Sequence, residues 1–537
     1  MSNEQTVFGI DLGTTYSCIA YMDEYGRPVV VNNSDNEPTT PSVVQFEGTN
    51  VIVGKEAKNN AVFAPDSVVE MVKRHMGEPN WRFSYQGTDY TAEEISARIL
   101  MKVVGDAEQN LGHKVKRVVI TCPAYFSLNE REATANAGKI AGLEVMEILN
   151  EPTAAAISYG TQNEGDQTVL VYDLGGGTFD ITMITIKGGA ITVVATGGNH
   201  HLGGRDWDAL VVDYLAQEWR NDVGSSDDPT SSPETMQDLW VRAENAKRAL
   251  TSHTETTVQV SHDGERRGIT RTRAKFDELT ASLLEQTIEY TRSMLADAQR
   301  LGYSRFDQIL LVGGSSRMLQ VPERLRREFG METKLFDPDQ AVAKGAAMYG
   351  LKLAIGEKIR IAEEQGVSTQ QATQQVASEM GLQLPMVEKL NNTEITIVLS
   401  HSVGVVVVDS MDRELIANLV TKQTPLPRTE TQRFGTKMAN QQRVDIQVLE
   451  NEFLDPEVQD IKMGKPIGKA ALELPPGLPA NSPIEITFEI NGQGRLEMTA
   501  VEMTTRREVR ATFQTDAGMS DAQVADATAR AQLVTVR

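Results

Sequence analysis

Two acidic residues, each placed after an apolar run and before a glycine-rich turn, give the strongest chemical signal in the sequence. Asp11 is followed by the turn at residues 12–15, and Asp173 by the turn at residues 174–178. After each turn the chain returns to a β-rich run, so both motifs predict hairpins. Glycine lets backbone N–H groups approach phosphate oxygens, threonine hydroxyls add donors, and the carboxylate can hold Mg²⁺ through water. Two such hairpins facing each other predict a clamp for one nucleotide.

Other interpretations of these turns are less satisfactory. A P-loop requires a strand, the pattern G-x-x-x-x-G-K-[ST] and then a helix, and neither turn has the lysine or the helix. A single glycine-rich turn is as often a plain tight hairpin as a ligand site. Two copies in equivalent places favour ligand binding.

A third glycine turn and a helical segment supply candidates for binding a base and a ribose. The apolar run at residues 309–312 ends in two glycines, where a flat base could lie against the backbone. Four residues of the helix predicted over 234–251 share a face beside its buried stripe: Glu244, Lys247, Arg248 and Thr251. Helix spacing alone favours a simpler interpretation, in which Glu244 pairs with the neighbouring cations on a solvated face.

Bulk composition excludes several classes of protein. The chain has 537 residues, a formal net charge of -22 and two cysteines. Such a charge repels phosphate backbones, so nucleic acid is a poor candidate partner. Two distant cysteines suggest neither a disulfide framework nor a zinc site. Because no signal peptide or membrane-spanning run is evident, we expect a cytoplasmic protein that does not enter membranes.

The periodicity of apolar residues divides the chain into four parts. Short β-rich runs alternate with helical patterns over residues 1–351, which predicts an α/β domain. Residues 352–396, rich in Glu, Gln, Ala and Lys, predict a connector of solvated helices. Over residues 397–514 the period changes to two, which predicts a β-sandwich. Residues 515–537 have room for one short helix.

Taken together, these motifs resemble the Hsp70 chaperone family. Besides the two phosphate turns, the matching segments are residues 123–126 (PAYF), 150–156 (NEPTAAA), 202–204 (LGG) and 312–317 (VGGSSR). The match spans most of residues 5–351 and about 402–514. The resemblance implies an actin-like two-lobed ATPase domain with duplicated ribonuclease-H-like halves. It also implies that this domain is followed by a β-sandwich peptide-binding domain and a short remnant of a helical lid.

The family resemblance also implies an activity and its residues. The chain would bind ATP or ADP with Mg²⁺ and hydrolyse ATP to control the binding of extended apolar peptides. The implied catalytic residues are Lys73, Glu151, Asp173, Thr178 and Asp180, and the implied Mg²⁺ residues are Asp11 and Asp173. The other implied nucleotide contacts are Gly13, Thr14, Thr15, Tyr16, Gly175, Gly176, Gly177, Gly203, Gly204, Glu244, Lys247, Arg248, Thr251, Gly313, Gly314, Ser315, Arg317 and Asp339. Judged without the family, Lys73 would be an exposed helix lysine.

Peptide-binding positions and partners follow from the same resemblance. The family's apolar peptide pocket falls on Val405, Val407, Val408, Phe434 and Val444, for which packing in a strand core is the alternative. The implied partners are extended segments of unfolded proteins, a J-domain co-chaperone and a nucleotide exchange factor.

Three departures from the family pattern modify these expectations. Residues 394–398 replace the usual apolar and acidic linker behind an inserted connector, which predicts weaker coupling between domains. Lys437 occupies a position that arches over the peptide in the family, and most of the lid is missing. We therefore expect weak peptide binding with fast exchange.

Two functions from other classes compete with a chaperone. A sugar or metabolite kinase on the same scaffold would not need the β-sandwich at residues 397–514, which argues against it. A nucleotide-switched protein with one dedicated partner fits the altered linker and shortened lid.

Overall fold

Two lobes with the same strand arrangement follow one another in the first 364 residues. The chain is seen here in a computed structural model. The residues it describes are 6–160, 165–224, 226–492, 495–512 and 519–537.

Lobe I contains the described residues up to 160. Its strands are β1 (Val7–Asp11), β2 (Tyr16–Met22), β3 (Pro28–Val30), β4 (Thr40–Pro41), β5 (Val44–Glu47), β6 (Asn50–Val53), β7 (Val68–Val69), β8 (Phe83–Tyr85), β9 (Thr88–Tyr90), β10 (Arg117–Cys122) and β11 (Glu144–Asn150). Its helices are α1 (Lys55–Asn60), α2 (Ala92–Leu111), α3 (Leu128–Ile140) and α4 (Glu151–Gly160), with a 3-10 turn at Val72–His75. The main sheet has the order β11-β10-β1-β2-β3, in which the first three strands are parallel and the last two pairings antiparallel.

Lobe II repeats this sheet. Its strands are β12 (Gln167–Leu174), β13 (Phe179–Lys187), β14 (Ala190–Asn199), β15 (Glu255–His262), β16 (Glu265–Thr272), β17 (Gln308–Val312) and β18 (Thr333–Leu335). Its helices are α5 (Gly204–Val223), α6 (Pro233–Ala249), α7 (Arg273–Arg300), α8 (Gln320–Phe329) and α9 (Ala341–Glu364). The order β18-β17-β12-β13-β14 has the same parallel and antiparallel pairings as lobe I. The repeat seen in the sequence is therefore a repeat of topology, as duplicated halves require.

The lobes meet where α9 crosses β1 and α4 at very short range. A Cβ atom placed on Gly9 would lie 2.1 Å from the backbone nitrogen of Ala347, and one on Gly345 would lie 1.8 Å from the carbonyl oxygen of Ala154. Only glycine permits these approaches. The domain boundary predicted at residue 351 falls inside α9, which is continuous to Glu364.

The connector after α9 is more buried than its composition predicts. It forms α10 (Thr369–Met380), α11 (Leu384–Asn392) and the short strand β19 (Ile395–Thr396). One face of the two helices is buried in the same apolar cluster as α9, through Ala372, Val376, Ala377, Met380 and Val387. Strand β19 adds to lobe II in parallel beside β14, where the amide of Ile191 donates to the carbonyl of Glu394. The helices that were expected to be solvated thus have one face buried against α9 and one face exposed to solvent.

A two-sheet β-sandwich follows, as the change of period predicts. Its strands are β20 (Ser402–Val408), β21 (Glu414–Val420), β22 (Arg428–Gly435), β23 (Arg443–Asn451), β24 (Glu457–Val458), β25 (Lys465–Glu473), β26 (Pro483–Ile490), β27 (Leu496–Glu502) and β28 (Glu508–Thr512). One sheet has the order β24-β21-β20-β23-β25 and the other β22-β26-β27-β28. Alternate side chains from both sheets form one apolar core.

The last helix lies against lobe I. Helix α12 (Asp521–Gln532) buries Ala527 and Ala531 beside Ala97 of α2 and Ile140 of α3. Residues 535–537 then bond through their backbone to β6. Part of the predicted lid remnant, residues 515–518, lies outside the described residues. Among the helices that the structure does describe, none has the length and hydropathy to cross a bilayer.

Candidate functional site

The two phosphate-turn candidates face each other across the cleft between the lobes. The turn after β1 presents Thr14 and Thr15 to the turn after β12. A Cβ atom on Gly176 would lie 2.4 Å from the Thr15 side chain, and one on Gly177 would lie 2.3 Å from that of Thr14. The glycines are therefore needed for the threonine hydroxyls and the opposing backbone amides to meet at one place.

A buried lysine and a buried glutamate form the floor of the cleft. The Nζ atom of Lys73 lies 2.5 Å from Oε1 of Glu151, and the two side chains are 4% and 9% exposed. Burial alone lowers the pKa of Lys73, but the charges of Glu151 and Asp11 raise it above its ordinary value. The lysine is therefore a fixed cation, placed by the 3-10 turn at Val72–His75 and the first turn of α4.

More carboxylates surround this lysine than it can neutralise. Burial, followed by the charge of Glu151, raises the pKa of Asp11 and that of Asp180 to about 7. The pKa of Asp173 is also raised, by burial first and then by Glu151. Asp173 and Asp180 are paired across β12 and β13, and the amide of Tyr125 donates to Asp180 at 3.0 Å.

The excess negative charge fits a hard divalent cation with oxygen ligands. Mg²⁺ commonly takes one or two carboxylates, with water and substrate phosphates as its other ligands. In the part of the chain that the structure describes, no three His, Cys, Asp or Glu side chains are placed to bind one metal ion by themselves. The donor set formed by Asp11 and Asp173 therefore fits a cation that shares its coordination with a phosphate.

The other end of the cleft combines the third glycine turn with α6. Lys58 of α1 crosses the cleft to Glu244, with Nζ 2.5 Å from Oε2, and its Nζ also donates to the Tyr16 hydroxyl at 3.1 Å. Lys247 pairs with Asp208 of α5 at 2.7 Å. The predicted helix-surface pairing of Glu244 is thus replaced mainly by a contact between the lobes.

One cavity of about 480 Å³ connects these features. All the predicted catalytic and nucleotide residues line it except Gly177, Asp180, Gly203 and Gly204. Those four lie directly behind the wall. The backbone of Gly203 packs against Gly177, and the amide of Gly204 donates to the carbonyl of Gly175.

Several residues that line the cavity were not predicted from the sequence. Lys58, Glu70, Arg205 and Trp240 line the cavity between the lobes. Trp240 lies four residues before Glu244 on the same face of α6, so helix spacing could have indicated it. No comparable signal marks the other three, because their partners are distant in sequence.

The predicted peptide-binding residues of the sandwich differ greatly in their exposure. Val405 is 1% exposed in the sandwich core and offers no surface to a peptide in this conformation. Val407, Phe434 and Val444 pack at the edge of that core, and Val408 is 42% exposed. In the loops beside them, the Nζ atom of Lys437 lies 3.0 Å from Oδ1 of Asp412, an exposed ion pair.

The sandwich also contacts the loop whose backbone binds the Asp180 carboxylate. The ring of His401 lies 4.6 Å from that of Tyr125, and the Ser400 hydroxyl donates to the carbonyl of Phe126 at 3.1 Å. Gln423 makes two hydrogen bonds to the backbone of Thr196 in β14. The same short loop thus touches Asp180 on one side and the sandwich on the other.

Comparison with protein-family models agrees with this architecture. A model described as Hsp70 protein matches residues 7–360 and 386–536. The unmatched residues 361–385 include all of α10, so this part of the packed connector is an addition to the family's pattern. With nearly the whole chain matched and the two-lobed fold and sandwich in place, the protein belongs to the Hsp70 family.

Proposed function

We propose that the chain is an ATP-dependent chaperone that hydrolyses ATP to ADP and phosphate in the cleft between its lobes. The observation that carries this proposal is the buried pair of Lys73 and Glu151, set among Asp11, Asp173 and Asp180 below two facing glycine turns. Phosphoryl transfer to water depends on alignment, a metal and positive charge more than on a covalent nucleophile. This arrangement offers alignment and positive charge, and Asp11 and Asp173 would hold the metal.

Each residue has a distinct part in the proposed reaction. Backbone amides of residues 175–178 and the hydroxyls of Thr14 and Thr15 bind the phosphates, while Asp11 and Asp173 would hold the cation. Mg²⁺ held by these two carboxylates would supply positive charge beside the phosphate oxygens. Lys73, fixed by Glu151, orients the attacking water. Asp180 lies behind the cavity wall, opposite Asp173 across β12 and β13, and helps to position that carboxylate.

The route from the cleft to the sandwich supports a role in peptide binding. The loop at residues 123–127 connects the Asp180 carboxylate to His401 and Ser400. Movement of either partner displaces the loop, so nucleotide state and sandwich position are linked through it. We infer that ATP controls the binding of extended apolar peptides at Val407, Val408, Phe434 and Val444.

Steady-state ATP hydrolysis, with and without a short apolar peptide, tests this proposal. The wild type is expected to hydrolyse ATP, and Lys73→Ala to lose about 10²-fold in kcat because an aligned charge in a buried site is removed. ATP binding should persist in the variant, which a fluorescent nucleotide would report. Lys102→Ala is the control, since Lys102 also pairs with a carboxylate, Asp106, but on α2.

The effect of the peptide separates two functions. Hydrolysis that rises with peptide supports a chaperone. Hydrolysis that depends on Lys73 but is indifferent to peptide supports a nucleotide switch with one dedicated partner. Equal activity of wild type and Lys73→Ala would contradict the proposed catalytic site.

A further inference from the structure

Two ion pairs of opposite polarity cross the cleft on either side of the proposed catalytic lysine. Glu70 and Arg74 flank Lys73 in lobe I. Their partners, Arg205 and Asp206, are consecutive residues in the first turn of α5 in lobe II. The Arg205 guanidinium lies 3.4 Å from the Glu70 carboxylate, and that of Arg74 lies 2.5 Å from the Asp206 carboxylate.

The lobe II ends of these pairs are fixed by other contacts. The guanidinium carbon of Arg205 lies 3.6 Å from the centre of the Trp240 ring on α6, a short cation–π contact. The Arg205 amide donates to the carbonyl of Gly176 at 2.8 Å. Asp206 accepts a hydrogen bond from the amide of Gly203 at 2.7 Å. The first turn of α5 is therefore tied to the phosphate turn of lobe II.

Arg74 makes a further link to the same turn. Its Nε donates to the carbonyl of Gly177 at 2.9 Å, and its two terminal nitrogens reach both carboxylate oxygens of Asp206. The four charged side chains of the two ion pairs are only 15% to 27% exposed. At this burial the charges are screened less than on an open surface, and a charge left without its partner is costly.

We propose that these crossed ion pairs position Lys73 by coupling it to closure of the lobes. The segment that carries Lys73 is held at both ends by α5, so closure of lobe II steadies the 3-10 turn from which the lysine reaches Glu151. Glu70, Arg74, Arg205 and Trp240 are positioning residues for the hydrolysis proposed above, on which this inference rests. The same contacts slow the release of ADP, because opening of the cleft must break them.

Exchange of the charges between partners tests the coupling. Each single variant, Arg205→Glu or Glu70→Arg, places like charges about 3.4 Å apart. We expect kcat to fall about tenfold and release of a fluorescent ADP analogue to quicken about tenfold, because displacing an aligned group is costly. The double variant restores opposite charges but not the stacking of residue 205 on Trp240, so both quantities should recover only in part, to about threefold from wild type.

A surface ion pair provides the matched control. Arg324 pairs bidentately with Glu285, at 2.5 and 3.0 Å, on lobe II. Arg324→Glu should leave kcat and ADP release unchanged. The proposal would be overturned if the single variants changed kcat and ADP release no more than this control does. It would also be overturned if the change in the double variant equalled the product of the two single changes.

Two further measurements keep the test independent of folding and of the proposed activity. Trp240→Leu keeps every charge but removes the stacking surface. If Arg205→Glu does not fold, Trp240→Leu takes its place. Faster ADP release in Trp240→Leu would support the proposal, and unchanged release would contradict it. Amide hydrogen exchange of residues 70–76 needs no nucleotide, and protection should fall in Glu70→Arg and return in the double variant. Absence of hydrolysis by wild type would count against the proposed function, whereas unchanged exchange would count against the coupling.

Discussion

Asp180 shows how strongly one buried carboxylate depends on its neighbours. It lies 1% exposed behind the cleft wall, near Glu151 and Asp173, and accepts a hydrogen bond from the amide of Tyr125. Its pKa of about 7 far exceeds the ordinary 3.8. Folding therefore raises its proton affinity. Between pH 4 and pH 7 the folded protein binds more protons than the unfolded chain, so stability falls as the pH rises through this window.

Replacement of this carboxylate should stabilise the nucleotide-free protein. Asp180→Asn keeps an oxygen to accept from the Tyr125 amide but cannot ionise. We expect stabilisation on the order of 1 to 4 kcal/mol at pH 8 and little effect at pH 4. Thermal unfolding at both pH values measures this. Equal stabilisation at the two pH values would show that ionisation is not responsible, and Asp89→Asn on the surface strand β9 is the control.

Residue types and spacing predicted the two phosphate turns, because each turn is a local pattern, whereas Lys73, Glu151 and Asp180 were predicted only from the family resemblance. Asp11 and Asp173 occupy equivalent strand ends, and a repeat of that kind is visible without a structure. Arg205 is different. The role of Arg205 depends on its contacts with Glu70 in the other lobe and Trp240 on another helix. No local sequence pattern indicates contacts of this kind.

At the scale of elements, the connector shows why composition misleads. Helix α10 is rich in glutamine, and those side chains do face solvent, but Ala372, Val376 and Met380 form a stripe at helical spacing that packs with α9. The sequence predicted the helices and missed their burial. Their position decides where β19 can pair with β14, so the connector fixes the strand that leads into the sandwich.

A cavity created beneath α11 should weaken the pairing of β19 with β14. Val387 is fully buried against the α9 cluster. Val387→Ala is expected to destabilise the connector by about 1 to 3 kcal/mol and to speed amide exchange at Ile191, whose bond to Glu394 depends on β19. The exposed Gln374→Ala on α10 is the control. Unchanged exchange at Ile191 would mean that β19 is held without the helices.

At the scale of the whole molecule, the sandwich is attached to both lobes. It meets lobe I at the loop of residues 123–127 and lobe II at Thr196 and Asp297, the latter through Lys422 at 2.8 Å. The fold of each part was predictable from its periodicity. The arrangement of the parts was not predictable, because these contacts join residues that are far apart in the sequence. The weaker coupling expected from the altered linker was therefore predicted without them.

A substitution at Gln423 tests the contact between the sandwich and lobe II most directly. It is 3% exposed, and Gln423→Ala leaves both the N–H and the C=O of Thr196 without partners. Each unpaired buried group costs about 1–3 kcal/mol, so the contact should open. We expect basal ATP hydrolysis to persist while its stimulation by peptide is lost. The exposed Gln432→Ala on β22 should keep stimulation, and retained stimulation in Gln423→Ala would place the coupling elsewhere.

The backbone bonds between residues 535–537 and β6 have a consequence for solubility. An unpaired strand edge offers a row of free amides and carbonyls that can recruit a strand from another molecule. Here the amides of Val51 and Val53 donate to the carbonyls of Thr535 and Arg537, while Val51 accepts from the amide of Arg537. By covering this edge, the chain protects itself from self-association, and the protection lasts only while α12 stays on lobe I.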